Sequence, residues 1–259
     1  MFIEERHQEI LKIIQENGRI SIGNIQEKFE VSVDSARRDL RLLEGQGLLK
    51  RTHGGAIPAP QIGLHAPTKA WNMADMEKIH DNVDAIARKA VTLIKPNDAV
   101  YITSGTLGYV MLKYLPTDFE FAVVTNSIDN SYLLKNHTNI QVFVIGGKMR
   151  PNGRMVDSFA QEAVRNMRFD LSFLTGAGFT SGFGISNGTP ETTAFQKIIA
   201  QNSRKNIALF TFEKIGHISF LKDVDSNKFD ILITDWDANE DELMKFEDEG
   251  IQVIVVDKE

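Results

Sequence analysis

Hydrophobic residues recur along this chain in two rhythms, and up to about residue 57 the rhythm is helical. Ile10, Leu11, Ile13 and Ile14 stand among charged residues over 4–17, and Gly18 follows as a stop, which predicts a first helix. Ser21 is a candidate N-cap for a short second helix that buries Ile22, Ile25 and Phe29. Ser32 caps a third, with Ala36, Leu40 and Leu43 turned inward and Asp34, Ser35, Arg37, Arg38 and Arg41 turned outward. Three short helices so closely spaced read as a helix-turn-helix unit. Leu48 to Thr52, bounded by Gly45 and Gly47 on one side and Gly54-Gly55 on the other, predicts a strand of a hairpin wing.

From about residue 74 the pattern changes. One helix runs through "IHDNVDAIARKAVTLI", and apolar strand candidates follow at 99–102, 119–124, 140–145, 169–174, 207–212, 231–233 and 251–256. Continuous apolar runs alternating with helices predict an α/β domain with a buried sheet. Helix starts are signalled by Ser158 with Gln161, by Thr189-Pro190-Glu191 and by Asp237 with Glu240. Between the two patterns, Pro58, Pro60, Pro67 and Gly63 make "PAPQIGLHAPTKA" a linker. The expected organisation is a small head over 1–57, a linker over 58–73 and a larger body over 74–259.

Composition narrows the classes of function. At 259 residues and 42% hydrophobic the chain can fill a proper core. It has no cysteine, so disulfides, thiolate metal sites and cysteine nucleophiles are out, which suits a reducing, cytoplasmic setting. The amphipathic start "MFIEERHQEILKIIQENG" has no signal-peptide core, and nothing in the sequence approaches a membrane span. Histidines 7, 53, 65, 80, 137 and 217 lack paired ligand spacing, so no metal is expected. Gly176, Gly178 and Gly182 have the wrong spacing for a dinucleotide fingerprint, and no cofactor is expected either.

The net charge of -6 is unevenly spread. Residues 1–57 carry nine basic and nine acidic residues, yet 37–51 hold Arg37, Arg38, Arg41, Lys50 and Arg51 against only Asp39 and Glu44. A recognition helix with a basic wing needs that patch, because phosphate contacts position the helix while residues near its start reach base edges. Ser32, Ser35, Arg37, Arg38, Arg41, Lys50, Arg51 and His53 are therefore the candidate contacts to duplex DNA. A solvated helix face with a pair such as Asp34 to Arg38 is the plainer alternative for the arginines alone.

In the body, three loops that follow strand candidates are rich in small polar residues. They are Thr103-Ser104-Gly105-Thr106, Thr125-Asn126-Ser127 and Gly146-Gly147-Lys148. Open α/β sheets bind ligands at such ends, and the first loop has the makings of a phosphate cradle. Turn and cap duties account for each loop taken singly.

The head resembles the DeoR-type bacterial transcriptional regulators. The resemblance rests on Arg6, Val31-Ser32, Ser35, Arg37-Arg38-Asp39-Leu40, Leu43-Glu44, Gly47, Leu49, Arg51 and His53-Gly54-Gly55-Ala56. Ser35-Ala36 replaces the family's usual Thr-Ile. The body carries further landmarks of that family in Gly105-Thr106, Thr125-Asn126-Ser127, Gly146-Gly147, Phe173, the run "GAGFTSGFGISNGTPE", Lys214-Ile215-Gly216 and Thr234-Asp235. The resemblance implies a winged helix-turn-helix head, and a body similar to the sugar-phosphate isomerase fold that senses a phosphorylated sugar. It nominates Ser104, Gly105, Thr106, Asn126, Ser127, Gly146, Gly147, Glu191, Lys197 and Lys214 as effector contacts.

Several departures alter that pocket. Thr103-Ser104-Gly105-Thr106-Leu107 stands for the family's D-x-GTT loop, Gly178 for an acidic residue, and Thr211-Phe212-Glu213-Lys214 for DSSK. Phe195 and Gln196 stand where basic residues are usual. The expected function is a regulator, a repressor of a sugar or carbohydrate operon, acting as a dimer or tetramer on an operator. An isomerase would rely on Glu191 or Asp235 as a carboxylate base. Glu191, however, also suits the first turn of a helix. That enzyme, and a regulator whose pocket has degenerated, are the alternatives.

Overall fold

The computed structural model describes residues 2–59 and 80–258. The head consists of α1 (Ile3–Asn17), β1 (Ile20–Ser21), α2 (Ile22–Phe29), α3 (Val33–Gly45), β2 (Leu49–Thr52) and β3 (Gly55–Pro58). Local chemistry sets these boundaries. Gly18 ends α1 in the left-handed conformation, φ 74°, and donates to the Ile14 carbonyl. Ser21 accepts from Asn24 N at 3.0 Å and Ser32 from Ser35 N at 3.2 Å, satisfying the first turns of α2 and α3. Ile10, Ile14, Ile25, Ala36, Leu40, Leu43, Leu49 and Ala56 form one core.

The strand expected over 48–52 is half of a hairpin in which β3 pairs antiparallel with β2 on one side and β1 on the other. A side chain at Gly55 would put its Cβ 1.9 Å from the Ile20 carbonyl oxygen, so only glycine lets the wing lie this close to the start of α2. Pro58, expected in the linker, is the last residue of β3. The rest of that linker from residue 60, and the first residues expected in the body up to 79, lie outside the described residues.

The body holds α4 (Asp81–Val91), β4 (Ala99–Ile102), α5 (Thr106–Met111), β5 (Phe121–Thr125), α6 (Ile128–Leu134), β6 (Ile140–Val144), α7 (Ser158–Arg165) and β7 (Phe169–Leu174). It continues with β8 (Gly178–Thr180), β9 (Gly184–Asn187), α8 (Pro190–Gln201), β10 (Ser203–Leu209), β11 (Leu221–Val224), β12 (Ile231–Asp235), α9 (Glu240–Asp248) and β13 (Gln252–Val256). Seven strands form a parallel sheet in the order β13-β12-β10-β7-β4-β5-β6. Both faces are covered, as the apolar runs required. Val100 and Ile102 join the cluster that includes Ile86 and Val110, whereas Tyr101 joins the opposite one with Phe179, Phe195, Phe210 and Phe246. Phe179 anchors that second cluster, stacked on Phe246 at 4.6 Å and on Phe210 at 5.1 Å between ring centres.

Some boundaries differ from the sequence expectation. The strand at 119–124 starts at Phe121, and the run at 207–212 belongs to a strand spanning 203–209. Asp157, not Ser158, caps α7, because its carboxylate reaches Ala160 N at 3.3 Å. Asn239, not Asp237, caps α9, with Oδ1 accepting from Glu242 N at 3.3 Å. The glycine-rich run after β7 carries a small antiparallel sheet, β11-β9-β8, for which no strand was expected. Among the described residues no helix is long and apolar enough to cross a membrane.

Strand order decides where a ligand can sit. From β4 the chain proceeds outward through β5 to β6, then returns to β7 beside β4 and proceeds the other way through β10, β12 and β13. The loops after β4 and β7 therefore part in opposite directions and leave a crevice at their carboxyl ends.

Candidate nucleic-acid interface and effector pocket

On α3 the inward positions are Ala36, Asp39, Leu40 and Leu43. Arg37, Arg38 and Arg41 are exposed, Ser35 is half-buried, and the three arginines make no ion pair among the described residues. The expected alternative of an Asp34 to Arg38 pair is absent there. Asp39 turns the other way and fastens α3 to α1. Arg6 Nε meets Asp39 Oδ2 at 2.7 Å, Arg6 Nη2 meets Oδ1 at 3.0 Å, and His7 Nε2 lies 3.0 Å from Oδ1. Burial alone pushes the Asp39 carboxyl up, but Arg6 and His7 outweigh it and hold the group below the ordinary carboxylate range.

The wing differs from expectation. Lys50 was assigned to DNA, yet it is 8% exposed and its Nζ donates to the Ile215 carbonyl in the body. Its position on β2 faces inward, and burial pushes its ammonium down to about 8, with Glu242 nearby opposing that shift. Arg51 meets Glu44 at 2.6 Å and Asp241 at 3.5 Å, and its carbonyl accepts from Asn239 Nδ2 at 2.9 Å. His53 Nδ1 lies 3.2 Å from Glu240 Oε1.

In the body, the crevice between β4 and β7 is walled by Gly105 and Thr175, so close that a Cβ on Gly105 would come within 2.8 Å of Thr175 Cγ2. Ser104 and Thr106 are half-buried on the same loop, and Thr106 opens α5. The other nominated residues are more committed to the fold than the sequence indicated. Asn126 accepts from the Tyr101 hydroxyl at 3.0 Å and donates to the Met155 carbonyl at 2.8 Å. Ser127 caps α6 by accepting from Asn130 N at 3.3 Å. Gly146 and Gly147 lie on an exposed turn, and Gly147, at φ 150°, backs onto the Asp157 carboxylate. Glu191 is exposed and paired with Arg150 Nη2 at 2.9 Å. Lys197 is exposed on α8 in the field of Asp223 and Asp225.

Lys214 is half-buried. It ends a 3-10 turn over Phe212–Lys214, where burial lowers its ammonium against the pull of Glu213. Asp235 braces that turn. Its carboxylate accepts from Phe212 N at 3.0 Å, Asn82 Nδ2 at 3.1 Å and Asp237 N at 3.1 Å, and burial pushes it up to about 6.

The sequence reading missed Arg154. This half-buried guanidinium is lowered by burial; Tyr101 and Asp129 raise it, Arg150 lowers it, and it acts in turn on Lys214. Neither Arg154 nor Lys214 forms an ion pair among the described residues. At the crevice wall, Thr175 Oγ1 and Gln196 Oε1 are buried without a hydrogen-bond partner, although Gln196 Nε2 holds the Thr175 carbonyl at 2.9 Å. Two neighbouring cations without an ion pair make a place where an anion would be stabilised. The second arginine in "RPNGRM" was the available signal.

A winged helix-turn-helix head joined to a parallel α/β body is the architecture of a DNA-binding transcriptional regulator. Residues 6–61 match the DeoR-like helix-turn-helix domain and residues 79–236 the DeoR C terminal sensor domain; the chain belongs to the DeoR family of transcriptional regulators. It is 28% identical to the HTH-type transcriptional regulator GolR of Listeria innocua, over 99% of this chain and 100% of that one. It is 29% identical to the lactose phosphotransferase system repressor of Lactococcus lactis subsp. lactis, over 94% and 95% of the two chains. Among solved structures, ribose 5-phosphate isomerase A of Neisseria gonorrhoeae matches with a TM-score of 0.39 at 18% identity, over 55% of this chain and 56% of that one.

Proposed function

We propose that this regulator is a repressor of a sugar or carbohydrate operon, and that a phosphorylated sugar or related anionic metabolite in the β4–β7 crevice sets its affinity for the operator. The observation that carries the reading is the pair of half-buried cations, Arg154 and Lys214, close enough to act on each other and without an ion pair among the described residues, together with the orphaned Thr175 and Gln196 at the β7 side of the crevice. A dianionic phosphate would compensate both charges, while sugar hydroxyls would complete the orphaned atoms. The relative named for repressing a lactose phosphotransferase system supports the same pathway class.

Mechanism is then a linkage. The effector binds one arrangement of the assembled chains better than another, and so shifts the joint affinity of their heads for DNA. One small head buries little surface, so a homodimer or tetramer is needed for tight operator binding. Arg37, Arg38 and Arg41 do the reading, with Ser35 at the helix start.

The chain acts without catalysis. Glu191 is exposed and neutralised by Arg150, and Asp235 is occupied by three donors, so neither carboxylate is poised over the crevice as a base. Titrating the protein with a panel of sugar phosphates, followed by operator binding with and without each, tests the proposal. A phosphorylated sugar should raise the melting temperature and change operator affinity. If no member does either, the crevice is not an effector site.

A further inference from the structure

The recognition helix and the wing do not share one environment. Arg37, Arg38 and Arg41 are exposed to solvent, whereas Lys50, Arg51 and His53 of the wing each have a partner in the body, which for Arg51 is shared with Glu44 of the head. The holding surface is the first turn of α9, where Glu240, Asp241 and Glu242 follow one another. Glu240 lies 3.2 Å from His53, Asp241 lies 3.5 Å from Arg51, whose nearer partner at 2.6 Å is Glu44 of α3, and Glu242 stands by Lys50, whose Nζ is bonded to the Ile215 carbonyl. Asn239 adds a bond to the Arg51 backbone, and Ile57 of β3 lies within the body's hydrophobic cluster. The contact therefore has an apolar seat as well as a charged rim.

We propose that the acidic first turn of α9 is an intramolecular stand-in for the DNA backbone: its carboxylates occupy the wing cations that duplex phosphates would otherwise take, so the head is held with its recognition helix free and its wing withheld. Carboxylate and phosphate oxygens compete for the same N–H donors. Exposed pairs such as His53 to Glu240 are individually weak, so DNA at sufficient concentration displaces them. The latch then lowers affinity for any duplex more than it lowers the discrimination that the free α3 provides. This inference rests on the head binding DNA, and it is separable from the identity of any effector.

The test compares two full-length variants that lose the same charge. Glu240→Gln with Asp241→Asn removes two carboxylates that touch the wing, whereas Glu247→Gln with Asp248→Asn removes two exposed ones from the far end of the same helix. Binding to a duplex is measured across a salt series. The first variant should bind on the order of fivefold tighter than the unaltered chain, with a salt slope steeper by about one to two, as wing cations become free for phosphates. The second should change affinity less than about twofold, with an unchanged slope. In the first background, the cost of Arg51→Ala should also grow several-fold.

Equal gains and equal slopes in the two variants would mean that bulk repulsion alone is at work, and would overturn the latch. So would an Arg51→Ala cost that is the same in both backgrounds. Glu240→Gln alone, at a side chain 75% exposed, carries the same expected direction in case the double variant loses helix stability. Absence of duplex binding by every variant and by the unaltered chain would instead remove the DNA reading beneath the latch.

Discussion

Asp39 is the residue whose loss should separate the two parts of the molecule most cleanly. Its side chain is 4% exposed and receives two bonds from Arg6 at 2.7 and 3.0 Å, with His7 at 3.0 Å. Asp39→Asn keeps the volume but removes the charge, leaving a guanidinium against a neutral amide. Removing one partner of a buried pair costs about 3–5 kcal/mol; Arg6 and His7 keep some access to water, which places this case near about 3 kcal/mol.

The whole loss falls on the head, whose core is a separate cluster running from Ile10 to Ala56. A module that small has only a few kcal/mol to lose, so it should be largely unfolded while the body stays intact. Hydrogen exchange read by segment is the assay. Amides of 3–45 should lose protection, those of the sheet should keep it, and DNA binding should vanish. Full protection in the head with intact DNA binding would refute the role given to this pair. The pH dependence has a defined sign: Asp39 is held below its ordinary 3.8, so its contribution is present above that pH and is lost as the pH falls through the lowered value.

Gly55→Ala should destabilise the head by about 3 kcal/mol, seen as a lowered first unfolding transition, because its Cβ meets the Ile20 and Ser21 backbone rather than a movable side chain. Asp223, pushed up to about 6 by burial, favours its neutral form in the folded protein, so stability falls as pH rises from 3.8 through 6. Asp223→Asn should therefore gain on the unaltered chain over that window, by up to about 3 kcal/mol, in melting curves taken at several pH values. Lys214→Met should raise the melting temperature by the equivalent of about 1 kcal/mol while abolishing any response to sugar phosphates; a lowered melting temperature would show that its charge is compensated.

The head was legible because its signals are local. Ser21, Ser32 and Gly18 mark helix ends within a turn of where they act, and Ala36, Leu40 and Leu43 fall on one face by spacing alone. Arg6 and Asp39 could be named from the family resemblance, although their bond spans 33 residues. What stayed hidden depends on distant partners. Nothing near Lys50 in sequence reveals that the Ile215 carbonyl, 165 positions away, takes its ammonium. Asn126 reads as a free amide until Tyr101 and Met155 use both its ends. Arg154 reads as one more surface arginine until its bridge to Ser127 carries it inward. The small sheet was missed because three or four residues per strand, broken by glycines, leave no periodicity to detect.

The separation between Arg51 and Asn239, 188 residues, has a meaning for how the protein is made. The head's core is complete once Ala56 has left the ribosome, whereas α9 follows only after six of the seven strands of the large sheet. During translation, then, each nascent chain carries an unrestrained DNA-gripping module for most of its synthesis. Restraint belongs to the finished polypeptide, and truncated products should compete for chromosomal sites more effectively per head than the intact regulator does.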